Sequence, residues 1–429
     1  MAGRDVWLYS VFPISVATGP LGTIVLFYLI HINGQGLGTI YYGLASAVYN
    51  GISIPAALFW GVLIDRLHKR KGFIILSYSL TGIALASVFF ERTTLGTITS
   101  YSIVSFVSIA SATPLNLLIM ETEVKSRWAG AFANLSMASS VGNVVGLVVS
   151  TFWTGVIPNR LVELFLLMGA LSVASAVLSV AMIREPPFVL ERQTVAARRP
   201  SFFSRLLANP VFFVTVPTLT DFRRAFRGVR STLTRGVPLF YFSTILFYLS
   251  SGLFNTSFAA AMNFFSISEA EILGVILVGM VAQTASFRWV GRWIEGKSLV
   301  TTSVLGLLLR GWSYLGLGIA AILVSTRLYA VPALILYPLA GGVGFAIYYT
   351  SANTMMFTTV QGRSAGAALG VYSAVVGIAA MAGSFASGFM SVYVGYYVTF
   401  ILAGVLLFAA VAVIGRLPRP SSPDEGILQ

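Results

Sequence analysis

The chain has 429 residues, 57% of them hydrophobic and only 10% charged, and its formal net charge is +13. Soluble domains carry roughly 25% charged residues, and disordered chains are poorer in apolar residues and richer in charge, so both classes are excluded. A mean hydropathy of +0.86 leaves a polytopic all-α membrane protein, with about 20 apolar residues needed per span.

Six apolar runs come first, at 6–30, 39–62, 72–90, 97–120, 128–154 and 161–183. The first exceeds the apolar core of a signal peptide and has no cleavage pattern after it, which predicts a retained span. The stretch 184–235 is the only long polar segment, with Pro186, Pro187, Pro200, Pro210 and Pro217 and ten arginines. Six more runs follow at 236–258, 271–290, 298–324, 329–356, 365–390 and 393–415. Twelve transmembrane helices are therefore predicted, numbered here spans 1 to 12. Their long continuous runs do not alternate as barrel strands do. The domain reading is a six-helix bundle over 1–183, a linker over 184–235, and a six-helix bundle with a short tail over 236–429. The middle of the linker, Ser201 to Leu219, is apolar enough to lie at the membrane surface as an interfacial helix. A loosely ordered linker is the alternative.

Of the 27 Lys and Arg residues, 23 fall in the N-terminus, the tail and the five connections 2–3, 4–5, 6–7, 8–9 and 10–11. The alternate loops hold only Arg92, Arg160 and Arg327, and Arg310 lies inside span 9. Cytoplasmic loops carry the excess of positive charge, which predicts both termini inside, in a multi-pass protein of the cell membrane. The charge thus reads as orientation, with anionic lipid as a partner for the basic linker; nucleic acid is not expected. There is no cysteine, and the two histidines, His31 and His68, are far apart. Thiol chemistry and a histidine-rich metal site are excluded, and no cofactor is expected.

The two halves repeat. Arg127-Trp-Ala-Gly130-Ala131 after span 4 returns as Arg363-Ser-Ala-Gly366-Ala367 after span 10. Gly61-Val-Leu-Ile-Asp65-Arg66 after span 2 returns as Gly291-Arg-Trp-Ile-Glu295-Gly-Lys297 after span 8, at nearly the same offset along the chain. Internal repeats mark transporters that alternate access by rocking one half on the other. A carboxylate such as Asp65, at a helix end, suits the exposed N–H groups of an incoming helix N-terminus.

The stretch Gly61-x-Leu63-x-Asp65-Arg66-x-x-Lys69-Arg70-Lys71 resembles the signature between helices 2 and 3 of the major facilitator superfamily, with His68 where that family usually has glycine. The resemblance extends over the 6+6 arrangement and the length of the whole chain. It implies that Asp65 meets the start of span 11, near Ala365 and Gly366, and by pseudo-symmetry that Glu295 meets the start of span 5, near Trp128. Arg66 or Arg70 would pair with Glu121 or Glu123. With Gly61, Arg127, Gly291 and Arg363 these residues form an expected cytoplasmic gate. The plain alternative is a basic loop that only sets topology.

Ionisable residues inside the membrane are functional candidates by default. None of the fourteen acids sits mid-span, so no buried carboxylate is offered as a proton carrier, and a uniporter or exchanger gains weight. Arg310 is the one intramembrane charge. It reads either as counter-charge for an anionic substrate or as an arginine bonded between helices; the family arrangement, which keeps helices 3, 6, 9 and 12 outside the cavity, favours the second. Cavity candidates on spans 2, 4, 5, 7, 8 and 10 are Tyr49, Asn50, Ser108, Ser111, Asn143, Tyr248, Ser251, Gln283 and Tyr337. Each alone is as well read as a tie between two helices; together they suggest a mostly apolar, aromatic cavity. Gly142-x-x-x-Gly146 reads as close helix packing, and Pro20 and Pro338 as positions able to kink spans 1 and 10.

The functional expectation is a secondary transporter, not an enzyme, moving a small organic solute as a monomer by alternating access. Efflux of neutral or amphipathic compounds leads over uptake of a metabolite or sugar by a permease or uniporter. A receptor or scaffold on the same fold is the rival from another class. A membrane-embedded enzyme would need clustered His, Asp, Glu or Cys at depth, which this sequence lacks.

Overall fold

The structure, a computed structural model, describes residues 9–67, 69–122, 128–157, 160–183, 236–294, 297–324, 326–359 and 365–417. At several of these, near the connections between spans, only the backbone is described. The predicted linker and its interfacial helix lie outside the described residues. Twelve spans are present, and eleven of them are long and apolar enough to cross a membrane over the described residues.

Span 1 is built of two helices, Phe12–Thr18 and Leu21–Asn33. The break falls at Gly19-Pro20, where proline has no N–H to continue the ladder; Pro20 instead caps the second helix and its carbonyl takes Thr23 and Ile24 N–H. Spans 2 to 6 are Gln35–Leu67, Arg70–Glu91, Thr94–Thr122, Trp128–Val156 and Leu161–Met182. Spans 7, 8 and 9 are Gly236–Phe264, Glu269–Ile294 and Leu299–Leu323. Span 10 is composite. A 3₁₀ turn, Arg327–Tyr329, leads into Ala330–Tyr337, then a π-helical stretch, Pro338–Gly344, then Phe345–Thr359. Pro338 opens the π stretch, for the same reason that Pro20 breaks span 1. Spans 11 and 12 are Ala365–Tyr393 and Tyr396–Ile414. Several helices outrun their apolar cores, because backbone hydrogen bonding continues through polar ends at the membrane surface.

Helices in lipid gain nothing from hiding apolar surface from one another. They associate by close van der Waals packing and by hydrogen bonds, which favours small residues at crossings. In the N-terminal half, span 3 packs on spans 4 and 6, span 1 on spans 5 and 6, and span 2 on span 4. In the C-terminal half, span 9 packs on 10 and 12, span 7 on 11 and 12, and span 8 on 10. Each pair in one half is the other half's pair advanced by six. The halves join mainly through span 2 on span 11 and span 5 on span 8, a pair of contacts that obeys the same rule.

The symmetry reaches single residues. A Cβ on Gly82 of span 3 would stand 2.9 Å from Gly169 O of span 6, and one on Gly404 of span 12 would stand 3.1 Å from Gly311 O of span 9. Gly82 corresponds to Gly311 and Gly169 to Gly404, at offsets close to those of the two sequence repeats. Gly142 and Gly146 both press on span 1, Gly146 within closest reach of Val16 O. This is the close packing expected of that spacing. In the other half Gly383 presses on span 7 at Leu249 O and Gly252. Buried hydroxyls add ties between helices. Ser77 donates to Val107 O at 2.7 Å, Ser250 to Ala403 O at 2.7 Å, Ser387 to Leu253 O at 2.6 Å, and Ser175 Oγ accepts from Ile14 N at 2.7 Å.

The ends of span 8 and span 10 away from the termini are joined at the surface. Ser268 and Glu271 form a capping box, Ser268 N and Oγ donating to the carboxylate at 3.0 and 2.8 Å, and Arg327 reaches Glu271 at 2.7 Å. Glu163 pairs in the same exposed manner with Arg160. Glu163 and Glu271 therefore serve as solvated caps and partners at this face.

These contacts predict a contrast between glycines. Gly404→Val forces a side chain into the backbone of span 9 and is expected to cost roughly 1–3 kcal/mol, read as a clear fall in melting temperature of the purified protein in detergent. Gly274→Val meets nothing within 4 Å and should melt within a degree or two of the parent.

Candidate functional site

Between the halves the described hydrogen bonds lie toward one end of the molecule. At the end of span 2 away from the termini, Gln35 Nε2 donates to Ala260 O of span 7 at 2.8 Å and to Tyr396 Oη of span 12 at 3.2 Å. One turn deeper, Thr39 Oγ1 and Tyr396 Oη share a hydrogen bond of 3.2 Å. Gly36 faces Val392, and the backbones of Gly43 and Gly388 meet so closely that a Cβ on Gly43 would lie 2.7 Å from Gly388 Cα. At mid-span Asn50 Nδ2 donates to Ser384 Oγ at 3.4 Å and, within its own helix, to Ser46 O at 2.9 Å. Gly51 then meets Met381, and Gly377 meets Ile54. Across spans 5 and 8, Gly155 faces Ala270 at the same end. The far end is sealed by a polar cluster whose members do not stand out in the sequence. Gln35 sits at a helix start and Tyr396 at another, where polar residues are commonplace, and only the fold brings them together.

The expected gate at the terminal face is only partly in view. Of Gly61 only the helical backbone is described, and the side chains of Asp65, Arg66, Glu121, Glu123, Arg127, Glu295 and Arg363 lie outside the described residues, as do those at the start of spans 5 and 11. Arg70 is buried and donates to Ile64 O at 3.3 Å, tying the start of span 3 to the end of span 2. Gly291 is exposed and approaches no other helix among the described residues.

The cavity candidates divide into two groups. In the N-terminal half Tyr49 stacks on Tyr101 with centroids 4.4 Å apart, and Ser105 Oγ donates to Tyr49 O at 2.6 Å. Ser108 and Ser111 donate back along span 4 to Ser105 O and Ser108 O. Their hydroxyl protons are spent within the helix. Asn143 stands where span 5 crosses Gly19 of span 1. In the C-terminal half Tyr248, Ser251 and Tyr337 gather around an aromatic column. Phe247 stacks on Tyr348 at 3.9 Å, Phe254 on Tyr314 at 3.7 Å, and Phe258 on Tyr337 at 4.4 Å. The column follows from Phe240, Phe247 and Phe254 recurring every seventh residue on span 7, a spacing that keeps them on one helix face. That period is legible in the sequence and was missed. Gln283 of span 8 is half-buried, close to the backbone of Gly342 in the π stretch.

Arg310 enters this column from span 9. It is 1% exposed. Nη2 donates to Ser251 Oγ of span 7 at 3.2 Å and Nη1 to Ala340 O of the span 10 π stretch at 3.5 Å. The guanidinium carbon lies 5.1 Å from the rings of Phe247 and Tyr314 and 5.4 Å from that of Phe345. Its Nε has no partner among the described residues. Arg310 is thus bonded between helices, as one of its two readings required, and joins one cavity candidate directly. It does so by pointing inward from span 9, between spans 7 and 10, and not outward to lipid. Among the described residues no group of His, Asp or Glu is placed to hold a metal ion.

A family model described as the Major Facilitator Superfamily matches residues 11–309, well over half of the chain. No curated protein matches. Among solved structures, the chain is similar to a POT family transporter in complex with a thioalcohol-conjugated peptide, at 15% identity and a TM-score of 0.70, over 96% of this chain and 94% of that one. It is similar to a point mutant of the nucleoside transporter NupG at 15% identity and a TM-score of 0.69, over 95% and 98%. It is also similar to the xylose transporter XylE from E. coli, described as partially occluded and inward open, at 12% identity and a TM-score of 0.69, over 99% and 98%. At such identities the likeness is one of fold.

The far-end seal makes a prediction that the absence of native cysteine renders easy to read. In a Val392→Cys background, Gln35→Ala removes both hydrogen bonds of that side chain and should raise the rate of labelling by a membrane-impermeant thiol reagent several-fold. Gln35→Asn, which keeps an amide donor on a shorter side chain, should raise it less.

Proposed function

The chain belongs to the major facilitator superfamily and is a multi-pass secondary transporter of small solutes, and we propose that it carries an amphipathic organic solute by rocking its two bundles, 1–183 and 236–429, about a central cavity. The observation that carries this reading is the set of polar bonds that join the two halves from Gln35 to Asn50, at and below the end away from the termini. The excess of Lys and Arg on the face that bears the termini argues that this face is cytoplasmic, so the bonded end is the outer one.

On this reading the polar seal must break as the cytoplasmic gate forms. The gate would use Asp65 against the N-terminus of span 11 and Glu295 against that of span 5, each carboxylate meeting helix-end N–H groups. Arg66 or Arg70 would pair with Glu121 or Glu123, with Arg127 and Arg363 as further members of the gate. Tyr49, Asn50 and Asn143 would line one wall of the cavity, and Tyr248, Ser251, Gln283 and Tyr337 the other. Its walls are largely aromatic, which suits an apolar body with a few hydrogen-bonding groups. With no acid at mid-depth, uniport or exchange is favoured over proton coupling through a buried carboxylate, and export leads over uptake. The protein is read as a monomer of the cell membrane, its linker held to anionic lipid.

Asp65→Asn tests the gate. The neutral amide is a weaker partner for a helix N-terminus. Transport by proteoliposomes is expected to fall roughly tenfold, a change of about 1.4 kcal/mol in the balance of the two states, while expression, membrane insertion and melting temperature stay near the parent. Unchanged flux would remove Asp65 from the mechanism.

A further inference from the structure

Arg310 holds a full charge in the membrane's interior, at a place where the fold does not require one. The glycine pairs show this. Gly311 of span 9 meets span 12 as Gly82 of span 3 meets span 6, so the residue before each occupies the equivalent corner. In the N-terminal half that residue is Thr81, buried like Arg310. A short neutral side chain is therefore enough to build the corner, and the C-terminal half has an arginine instead.

That arginine is under-partnered. A guanidinium offers five N–H donors. Here two are used, at 3.2 and 3.5 Å, and the second is at the limit of a hydrogen bond. Nε–H is buried without an acceptor among the described residues. Three ring faces at 5.1 to 5.4 Å stabilise the charge, and the Tyr314 hydroxyl lies close enough to interact with the fork. No carboxylate shares its depth. The acids of this half are Glu269 and Glu271 at the far end of span 8, Glu295 past its near end, and Asp424 and Glu425 after span 12. An unneutralised cation in a low-dielectric site attracts an anion strongly, and guanidinium is the side chain whose fork matches an oxyanion.

Around this cage stand Tyr248, Tyr337 and Phe345, all half-buried, and Ser251, whose Oγ accepts from the guanidinium while its own proton goes to Phe247 O at 2.8 Å. We propose that the transported solute is an organic anion, a carboxylate or similar oxyanion on an apolar or aromatic body, and that Arg310, positioned by Ser251, binds its charged end at the junction of spans 7, 9 and 10. The body lies against Tyr248 and Tyr337. The anion takes the place of the Ala340 carbonyl on the fork, which frees the π stretch of span 10 to move. This inference rests on the transporter reading and narrows the solute it carries.

The test uses the full-length protein and a panel of aromatic carboxylates, each matched with its primary amide, and sodium chloride as the inorganic control. Binding is read by thermal shift in detergent, and flux in proteoliposomes. In the unmodified protein some acids should raise the melting temperature by several degrees where their amides and chloride do not. Arg310→Gln should abolish that preference, roughly a tenfold or greater loss of affinity, and Arg310→Lys should retain part of it. Equal shifts by acid and amide, a shift produced by chloride alone, no shift with any acid, or an acid preference that survives in Arg310→Gln would each overturn the proposal. The acid–amide comparison needs no variant, so it decides even if Arg310→Gln does not fold. Flux of the amides without preference for the acids would leave the transporter reading standing and remove the anion. Binding of the acids with no flux of any solute would do the reverse.

Discussion

The arrangement depends on helices approaching one another to backbone contact. In lipid there is no solvent-exclusion force between two apolar helices, so attraction comes from the atoms that touch. Where span 3 meets span 6, span 9 meets span 12 and span 2 meets span 11, glycine on one or both sides brings carbonyl and Cα into contact. Each such crossing also fixes a rotation of the helix about its axis, and that rotation decides which side chains face the cavity. Gly82 and Gly169 orient Thr81 in one half as Gly311 and Gly404 orient Arg310 in the other. The glycines set the geometry of the site without forming part of it.

Two kinds of contact hold the molecule, and they differ in reversibility. Within each half the ties are glycine crossings and short hydroxyl-to-carbonyl bonds, such as Ser250 to Ala403 O and Ser77 to Val107 O. They are buried, and they would be costly to leave unmade. Between the halves the polar ties are fewer. Gln35, Thr39 and Tyr396 cluster at one end, with Thr39 and Tyr396 buried, and Asn50 reaches Ser384 at 3.4 Å. Exchanging so few bonds would cost less than disrupting the packing within a half. Rigid bundles joined by an exchangeable seal are the mechanical condition for rocking. Span 10 is the exception inside a bundle. Its π stretch between Pro338 and Gly344 sits against Gly279 and Gln283 on one side and Arg310 on the other, and such bulges mark places where a helix has more than one stable register.

Much of this was legible in the amino-acid sequence. Span number follows from apolar run length, because the bilayer imposes it. The duplication showed in two motif pairs at nearly equal offsets, and the fold adds two glycine pairs, Gly82 with Gly311 and Gly169 with Gly404, spaced almost identically. Gly142 and Gly146 announced a crossing by their spacing. The seal was not legible, since Gln35, Ala260 and Tyr396 are joined only by tertiary proximity and Ala260 contributes a carbonyl that any residue has. The direction of Arg310 was not legible either. A rule about which helices line the cavity treats span 9 as peripheral, but a long side chain reaches past its own helix, and here it ends among residues of spans 7 and 10. Ser108, Ser111 and Ser251 each give their hydroxyl proton to a carbonyl of their own helix and keep the oxygen as an acceptor, which the sequence does not show.

The near-symmetry of the halves gives the asymmetry its meaning. Two bundles with the same packing rules rock best if their interfaces match, and spans 2 on 11 and 5 on 8 do match. Recognition has no such requirement. A solute presents different groups to the two walls, so the walls are free to diverge where they face it. They diverge most where a duplicated corner carries Thr81 in one copy and Arg310 in the other, and where the aromatic column of Phe247, Phe254 and Phe258 is stacked on Tyr348, Tyr314 and Tyr337. On the proposed reading the N-terminal wall offers Tyr49, Tyr101 and amides, which suit an uncharged end, and the C-terminal wall offers Arg310. A solute with a polar anionic end and an apolar body would thus be oriented across the cavity. Because the charged contact also touches the π stretch of span 10, the orientation is coupled to the helix with the least regular backbone.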